Sequence, residues 1–348
     1  MKPDCAWNLS DLDAVPNNSV KVMTTFACGG GSSMGYKRAG CSIVAANDID
    51  PEMAWHYKQN LNPPLYYLCP IRDLLTATLA PELYTLDILD GSPPCSTFSM
   101  AGSREEGWGK NKHFREGQAK QVLSDLFFDY LDLVERLKPK VAIAENVKGM
   151  IIGNAKGYTK LVMARLKEIG YQPQLFLLNG ADCGVPQRRE RVFFVAIRDD
   201  ITEAPLKLAP KHRWISAGEA TADLQVLTDN EVRDTIMTGV DKAWQHTEKG
   251  GCYADYYKRA EGRNNAFSHQ KLSDKEPAPT LTATTDNFKH YAIPRKLTFR
   301  EWKRLGSFPD DYYAKTDKIG KYMIGMSVPP KMTEQVARAV IDQWLQPK

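Results

Sequence analysis

Three groups of side chains in this 348-residue chain have types and surroundings that could do chemistry. The first is Cys95, in the stretch Asp90-Gly91-Ser92-Pro93-Pro94-Cys95-Ser96-Thr97-Phe98-Ser99. Two prolines lock φ just ahead of it, and each restricts the residue before it as well. A thiol held that stiffly suits nucleophilic attack, for which the thiolate is the reactive form. The second group is Glu145-Asn146-Val147, at the end of an apolar run, and the third is Gln187-Arg188-Arg189-Glu190-Arg191. Taken singly, these are a cysteine after a Pro-Pro turn, a helix-capping acid and a surface charge run. Taken together, a soft nucleophile, a carboxylate and a guanidinium pair beside a nucleoside-type pocket match what is needed to activate a pyrimidine.

The elements that must position these groups read as alternating strands and helices. Residues 20–26 form a β-branched apolar run that stops at a glycine turn and leads into a helix-like stretch at 36–39. A second strand at 42–46 ends in Asn47-Asp48-Ile49-Asp50. Asp48 lies about 20 residues past the glycines, where such units place an acid on ribose hydroxyls. The glycines fit Gly29-x-Gly31-x-x-x-Gly35 better than a dinucleotide fingerprint, so a nucleoside ligand without a pyrophosphate is expected. Helices follow at 51–59, 123–137 and 159–169, with strands at 86–89, 141–144, 174–178 and 191–197. Repeated β/α units predict an α/β fold, a doubly wound, Rossmann-like, mostly parallel sheet with helices on both faces. Cys95, Glu145 and the Arg189/Arg191 pair then meet at one edge of it, where open α/β sheets place their ligands. The pattern fails after Arg198. Residues 201–295 are rich in Thr, Asn, Asp, Lys, Tyr and Trp and read as a smaller, irregular, partly β domain. Helical periodicity returns at 298–305 and 333–345.

Composition narrows the class. Hydrophobic content of 43% and charged content of 25% are those of an ordinary globular protein, and the length predicts two domains. No apolar run is long enough to span a bilayer and the first ten residues hold no signal-peptide core, so a cytoplasmic protein without membrane contact is expected. Seven cysteines, an odd number without paired spacing, argue against a disulfide framework. No Cys/His spacing suits zinc, and no metal is predicted. A net charge of +4 does not by itself establish nucleic-acid binding. Three basic clusters matter more: Lys110, Lys112, His113 and Arg115; Arg188, Arg189 and Arg191; and Lys296, Arg300, Lys303 and Arg304.

With its motifs in this order, the chain resembles the DNA (cytosine-5) methyltransferases, which use S-adenosylmethionine. The resemblance runs from Val22 to Val340. It rests on Phe26 with the glycines, Pro94-Cys95 followed by Phe98-Ser99, Glu145-Asn146-Val147, Gln187-x-Arg189-x-Arg191, the stretch from Arg295-Lys296-Leu297-Thr298 to Gly306-Ser307-Phe308-Pro309, and Gly325-Met326-Ser327-Val328-Pro329. Cys28 stands where the family usually has Gly, and Met326 where it usually has Asn; both lie beside the expected cofactor site.

The resemblance implies the following assignments. Cys95, Glu145, Arg189 and Arg191 are catalytic: the thiolate adds to carbon 6, Glu145 meets the N3 edge, and the arginines organise the carbonyl edge and the carboxylate. S-adenosylmethionine is held by Phe26, Ala27, Cys28, Gly29, Gly31, Asp48, Ile49, Asp73, Leu74, Pro94 and Met326, with Asp48 on the ribose and Asp73 at the adenine edge. The substrate meets Ser99, Asn146, Gln187 and Thr280, with Arg259 and Arg263 as base readers. The base must be flipped out of double-stranded DNA, and residues 97–118 are the expected lid. Residues 1–200, completed by 318–348, form the catalytic and cofactor-binding domain, and 201–317 the target-recognition domain and hinge. A monomer is expected, and a cognate restriction endonuclease is a candidate partner. A branch of the family acts on transfer RNA, which leaves that substrate as an alternative. Two other classes also remain, a catalytically silent DNA-binding module and a dinucleotide-dependent oxidoreductase.

Overall fold

The computed structural model describes residues 3–94, 111–112, 121–122, 126–153, 155–237, 242–262, 269–284 and 287–346. Cys95, Ser99 and Arg263 lie outside the described residues, as does the expected lid apart from the backbone at 111–112. Seven strands form the central sheet: β1 (Lys21–Thr25), β2 (Ser42–Asp48), β3 (Leu65–Leu68), β4 (Ile88–Gly91), β7 (Val141–Val147), β8 (Tyr171–Asn179) and β10 (Glu190–Arg198). Three two-residue pieces complete the numbering to this point: β5 (Asn111–Lys112), β6 (Gln121–Val122) and β9 (Gln187–Arg188).

The sheet order is β3-β2-β1-β4-β7-β10-β8. Every pairing is parallel except those of β10, which runs antiparallel to both β7 and β8. The expected mostly parallel, doubly wound sheet is therefore present with one strand reversed. The sequence reading missed β3, a short edge strand just after Pro63-Pro64. Pro173 is tolerated inside β8 because that strand is the other edge.

The apolar strands are buried on both faces, so their sequences run hydrophobic without alternating. In β10, Val192, Phe194 and Ala196 face a layer built by α3 (Leu126–Leu137) and α4 (Ala155–Glu168). Phe193, Val195 and Ile197 face the opposite layer, where α1 (Gly31–Arg38) packs on α11 (Pro330–Val340). Helix α1 starts five residues before the expected Tyr36, so the glycine turn is largely its first turn. Helix α2 (Pro51–Leu61) has Asp50 as its N-cap, whose carboxylate accepts from the N–H groups of Glu52 and Met53.

Residues 201–295 differ from the partly β expectation. Among the described residues they carry α5 (Ala217–Ala220), α6 (Asp229–Thr235), α7 (Lys242–His246) and α8 (Tyr253–Glu261). Their strands, β11 (Gln270–Lys271), β12 (Ala278–Pro279) and β13 (Phe288–Lys289), are two residues each. The overlooked signal was local: Ser216-x-x-Glu219 and Thr228-x-x-Glu231 are N-caps, and Thr228 makes the full capping box. The third core joins this region to the N-terminal residues Cys5 and Trp7, to α9 (Phe299–Leu305) and to α10 (Asp317–Met326). No described helix is long and apolar enough to cross a membrane.

Arg304, 2% exposed, is the junction of that third core. Its guanidinium donates to both carboxylate oxygens of Asp223 at 3.0 Å, to Asp310, and to the carbonyl of Ala220. Breaking such an arrangement strands two acids against a core, a change that typically costs about 3–5 kcal/mol. Arg304→Ala is therefore expected to lower the free energy of unfolding by about that amount in urea titration. A loss under about 1 kcal/mol would mean that the acids find water instead.

Candidate active site

The reversal of β10 sets the geometry of the site. Strands β4 and β7 finish at the same sheet edge, and β10, running the other way, begins there. Arg191 pairs in register with Val147, and its Nε lies 2.9 Å from Glu145 Oε1. Both side chains are nearly buried. Burial lowers the proton affinity of Arg191, and the Glu145 carboxylate opposes that effect. Beside them Asn146 Nδ2 donates to the carbonyl of Pro93 at 3.0 Å, fixing the Pro93-Pro94 step that leads to Cys95. Three of the expected residues, Glu145, Arg191 and Asn146, are thus brought together at the root of the Cys95 segment.

A cavity opens next to this edge. Phe26, Ala27 and Cys28 wall it from the end of β1, and Asp48 and Ile49 from the end of β2. Gly31, Pro94 and Met326 complete the expected members. Asp48 is held by the N–H groups of Cys28 at 2.7 Å and Asp50 at 2.9 Å; burial pushes its carboxyl up and these bonds pull it back only in part. Gly31 is required here, since a Cβ would lie 2.2 Å from the carbonyl oxygen of Val328. Cys28 sits at φ 45°, a left-handed conformation that a glycine would adopt without strain. Its thiol lies 3.8 Å from Met53 Sδ, and burial pushes it up to about 12, so it stays a neutral thiol that walls the cavity.

The sequence reading missed Ser32, Asp50, Met53, Ser92, Tyr322, Ser327 and Val328, which also line the cavity. Tyr322 precedes Met326 by one helical turn on α10, so the i, i+4 spacing could have found it. A roomier cavity of about 350 Å³ near Asn17, Lys37, Ser42 and Pro64 has no carboxylate in its lining.

Several expected site residues lie elsewhere. Asp73 is exposed on the turn Ile71–Leu75, and Leu74 is fully buried in the core, because Pro70 starts a tight turn that aims the acid outward and the leucine inward. Gly29 does not line the cavity; its carbonyl accepts from the Tyr312 hydroxyl at 2.7 Å. Gln187 is buried and bridges Leu281 N–H and the Leu305 carbonyl. Thr280 Oγ1 donates to the Arg188 carbonyl. Arg189 points away from the ion pair, its terminal nitrogens donating to the carbonyls of Leu281, Gly325 and Ser327. Arg259 is exposed on α8, its Nε donating to the Asp255 carbonyl.

Asp90, at the end of β4, is a buried carboxyl that the sequence reading left without a role. Tyr36 donates to its Oδ1 at 2.9 Å and Ser32 also bonds to it, both neutral hydroxyls, while Glu145 adds like charge. Burial, first, and that neighbouring carboxylate push it up to about 7.

A family model described as C-5 cytosine-specific DNA methylase matches residues 20–342. The Type II methyltransferase M.FnuDI of Fusobacterium nucleatum is 28% identical, covering 92% of this chain and 94% of its own. The Type II methyltransferase M.NgoFVII of Neisseria gonorrhoeae is 27% identical, covering 96% and 89%. Among solved structures, one described as a DNA modification methyltransferase encoded within an E. coli prophage superposes with a TM-score of 0.71 at 19% identity, over 93% of this chain and 99% of that one. A mutant DNMT2 of Spodoptera frugiperda gives a TM-score of 0.59 at 18% identity, over 93% and 100%. These two likenesses bear on the fold alone.

The raised Asp90 has a consequence for stability. Its proton affinity in the folded state exceeds that of an unfolded Asp, so between about pH 4 and 7 the native state binds more protons and stability falls as pH rises. Asp90→Asn is expected to raise the melting temperature at pH 8, with a gain on the order of a few kcal/mol that shrinks towards pH 4. An equal gain at both pH values would contradict this protonation scheme.

Proposed function

The chain belongs to the C-5 cytosine-specific DNA methylase family, and on that premise we propose that Cys95 is the nucleophile that adds to carbon 6 of a cytosine flipped out of a specific double-stranded DNA sequence. The observation that carries this reading is the Glu145–Arg191 pair beside Asn146, which tethers the Pro93-Pro94 step directly ahead of Cys95. S-adenosylmethionine, when bound, supplies the electrophilic methyl that carbon 5 takes up.

The cavity residues suit that cofactor. Asp48 offers a carboxylate to the ribose hydroxyls, and Phe26, Ile49 and Val328 offer apolar walls to the adenine. Helix α1 starts at the wall with Gly30 as N-cap and no side-chain cap, so its N–H groups suit the carboxylate of the methionyl part.

The remaining steps belong to the chain's own groups. The thiolate forms the sulfur–carbon 6 bond as the 5,6 double bond gives its electrons towards carbon 5. Glu145, having taken up a proton from water before the base enters, meets N3 and passes that proton to it, which cancels the charge that develops on the ring. Arg191 holds the Glu145 carboxyl in place through their 2.9 Å contact. A water molecule then takes the carbon 5 proton, its electron pair re-forms the 5,6 double bond as the thiolate leaves, and N3 returns its proton to Glu145, which restores the aromatic ring.

Within the recognition domain and hinge of 201–317, residues 201–295 choose the DNA sequence, and 1–200 with 318–348 carry out the chemistry. Support comes from the end of the α/β pattern at Arg198 and from the exposed Arg259 on α8. Arg259 suits guanine in the major groove, a contact worth about 1–3 kcal/mol of discrimination. Lys271 is unsuited to base reading, since its ammonium donates to the carbonyls of Trp244 and Thr247 and covers the Trp244 ring at 3.7 Å. The proposal is completed by a monomer in the bacterial cytoplasm with a cognate restriction endonuclease as its partner; the Type II methyltransferase names of the bacterial relatives bear on the DNA-modifying role alone.

Duplex DNA carrying 5-fluorocytosine cannot lose a proton from carbon 5, so with S-adenosylmethionine the wild-type protein should remain joined to it through denaturing electrophoresis. Cys95→Ser should give no joined species. Trapping by Cys95→Ser, or none by wild type, would remove the assignment. Replacing residues 201–295 with the corresponding region of a relative of known specificity should move methylation to that relative's sites. An active chimera that still methylates the original sites would contradict the division of labour.

A further inference from the structure

Arg189 is 3% exposed and sits where three segments meet. Its Nη1 donates to the Leu281 carbonyl at 2.7 Å, and its Nη2 to the carbonyls of Gly325 at 3.0 Å and Ser327 at 3.1 Å. Leu281 belongs to the segment that ends the 201–295 region, whereas Gly325 and Ser327 flank Met326 at the end of α10, where Met326 and Ser327 wall the cofactor cavity. One planar guanidinium therefore holds both the trailing edge of the recognition region and the rim of the cofactor cavity.

The rest of the joint leaves little slack. Ala278 and Pro279 of β12 pair in register with Gln187 and Arg188 of β9. Gln187 Oε1 accepts from Leu281 N–H at 2.9 Å, and Thr280 Oγ1 donates to the Arg188 carbonyl at 2.8 Å. Across the joint, a Cβ on Gly325 would lie 2.3 Å from the carbonyl carbon and oxygen of Thr282, so the two backbones touch directly. Burial, and the like charge of Arg191, lower the proton affinity of Arg189, and among the described residues its Nε has no hydrogen-bond partner. A buried cation kept at such a cost, with its donors spent on backbone of two different segments, fixes their relative position through a rigid fork.

We propose that Arg189 is a positioning residue that couples recognition of the DNA sequence by residues 201–295 to the shape of the cofactor cavity. The inference rests on the function proposed above and adds to it a physical route between the two binding events. A shift of the Leu281 segment on the duplex must either break the Nη1 bond or carry the fork, and with it the carbonyls of Gly325 and Ser327. Cofactor and cognate DNA then bind with a mutual preference that is the same whichever is added first.

The test is the affinity of the full-length protein for S-adenosylhomocysteine, the demethylated product, measured by calorimetry with and without a duplex containing the mapped methylation site. No turnover is involved, so failure of the chemistry and failure of the coupling are read separately. The duplex should tighten binding to wild type about tenfold. Arg189→Lys, which keeps the charge but not the fork, should reduce that factor below about threefold while leaving each ligand's own affinity within about threefold. Gly325→Ala, which strains the same joint from the opposite side, should also lose the coupling, and exposed Arg188→Lys should keep it. A full coupling factor in Arg189→Lys, or none in wild type, would overturn the proposal. So would parallel losses of both individual affinities with the factor intact, the outcome expected of ordinary packing.

Discussion

Running one strand against its neighbours is what allows the chain to build an ion pair from residues that sequence order would otherwise place at opposite ends of the sheet. In a fully parallel sheet, a residue at the start of one strand and another near the end of its neighbour lie at opposite edges. Because β10 runs antiparallel to β7, Arg191 at its start faces Val147 at the end of β7 and reaches Glu145. Apolar pairing along β10 and both neighbouring strands holds that register, since slipping by one residue would exchange the faces of Val192, Phe193 and Phe194. Asn146 and the Pro93-Pro94 step depend in turn on the same strand end.

Much of this was legible in the chain, for identifiable reasons. The strands buried on both faces announced themselves as β-branched runs, and Asp48 and the glycines followed from strand, turn and helix in succession. The cavity gathers Phe26, Cys28, Asp48 and Met326, which the motifs had grouped from opposite ends of the chain. What the chain does not announce is side-chain direction within a turn. Asp73 and Leu74 share the turn Ile71–Leu75, yet one faces solvent and the other the core. Arg189 and Arg191 looked equivalent in a motif with period two. Only Arg191 joins Glu145, because Arg189 precedes the first residue of β10 and turns towards Leu281 and Ser327. Helices α5 and α6 of the 201–295 region escaped notice because they are short and held by caps rather than by a long apolar stripe.

Buried charge recurs wherever parts of the chain meet. Arg304 joins Asp223 to Asp310, Arg295 lies against Glu301 within the third core, and Arg189 closes the joint beside the cavity walled by Met326 and Ser327. Each of these costs desolvation that an apolar contact would avoid, and each gains direction, since a guanidinium fork accepts partners only in its own plane. An enzyme that must hold a base, a cofactor and a duplex in one geometry needs that direction more than it needs added stability. Asp90 stands apart: a buried acid with neutral donors, beside Glu145, at the root of the Cys95 segment.

The central claim is methyl transfer to carbon 5 of cytosine in duplex DNA, and the products of the reaction test it most directly. Purified protein is incubated with isotopically labelled S-adenosylmethionine and, separately, with mixed-sequence duplex DNA and transfer RNA. The nucleic acids are then digested and the nucleosides resolved by chromatography and mass spectrometry. The account predicts labelled 5-methyl-2′-deoxycytidine from the duplex, confined to one sequence context, and no labelled cytidine from the RNA. Label found only in RNA, or on an exocyclic nitrogen instead of carbon 5, would contradict it.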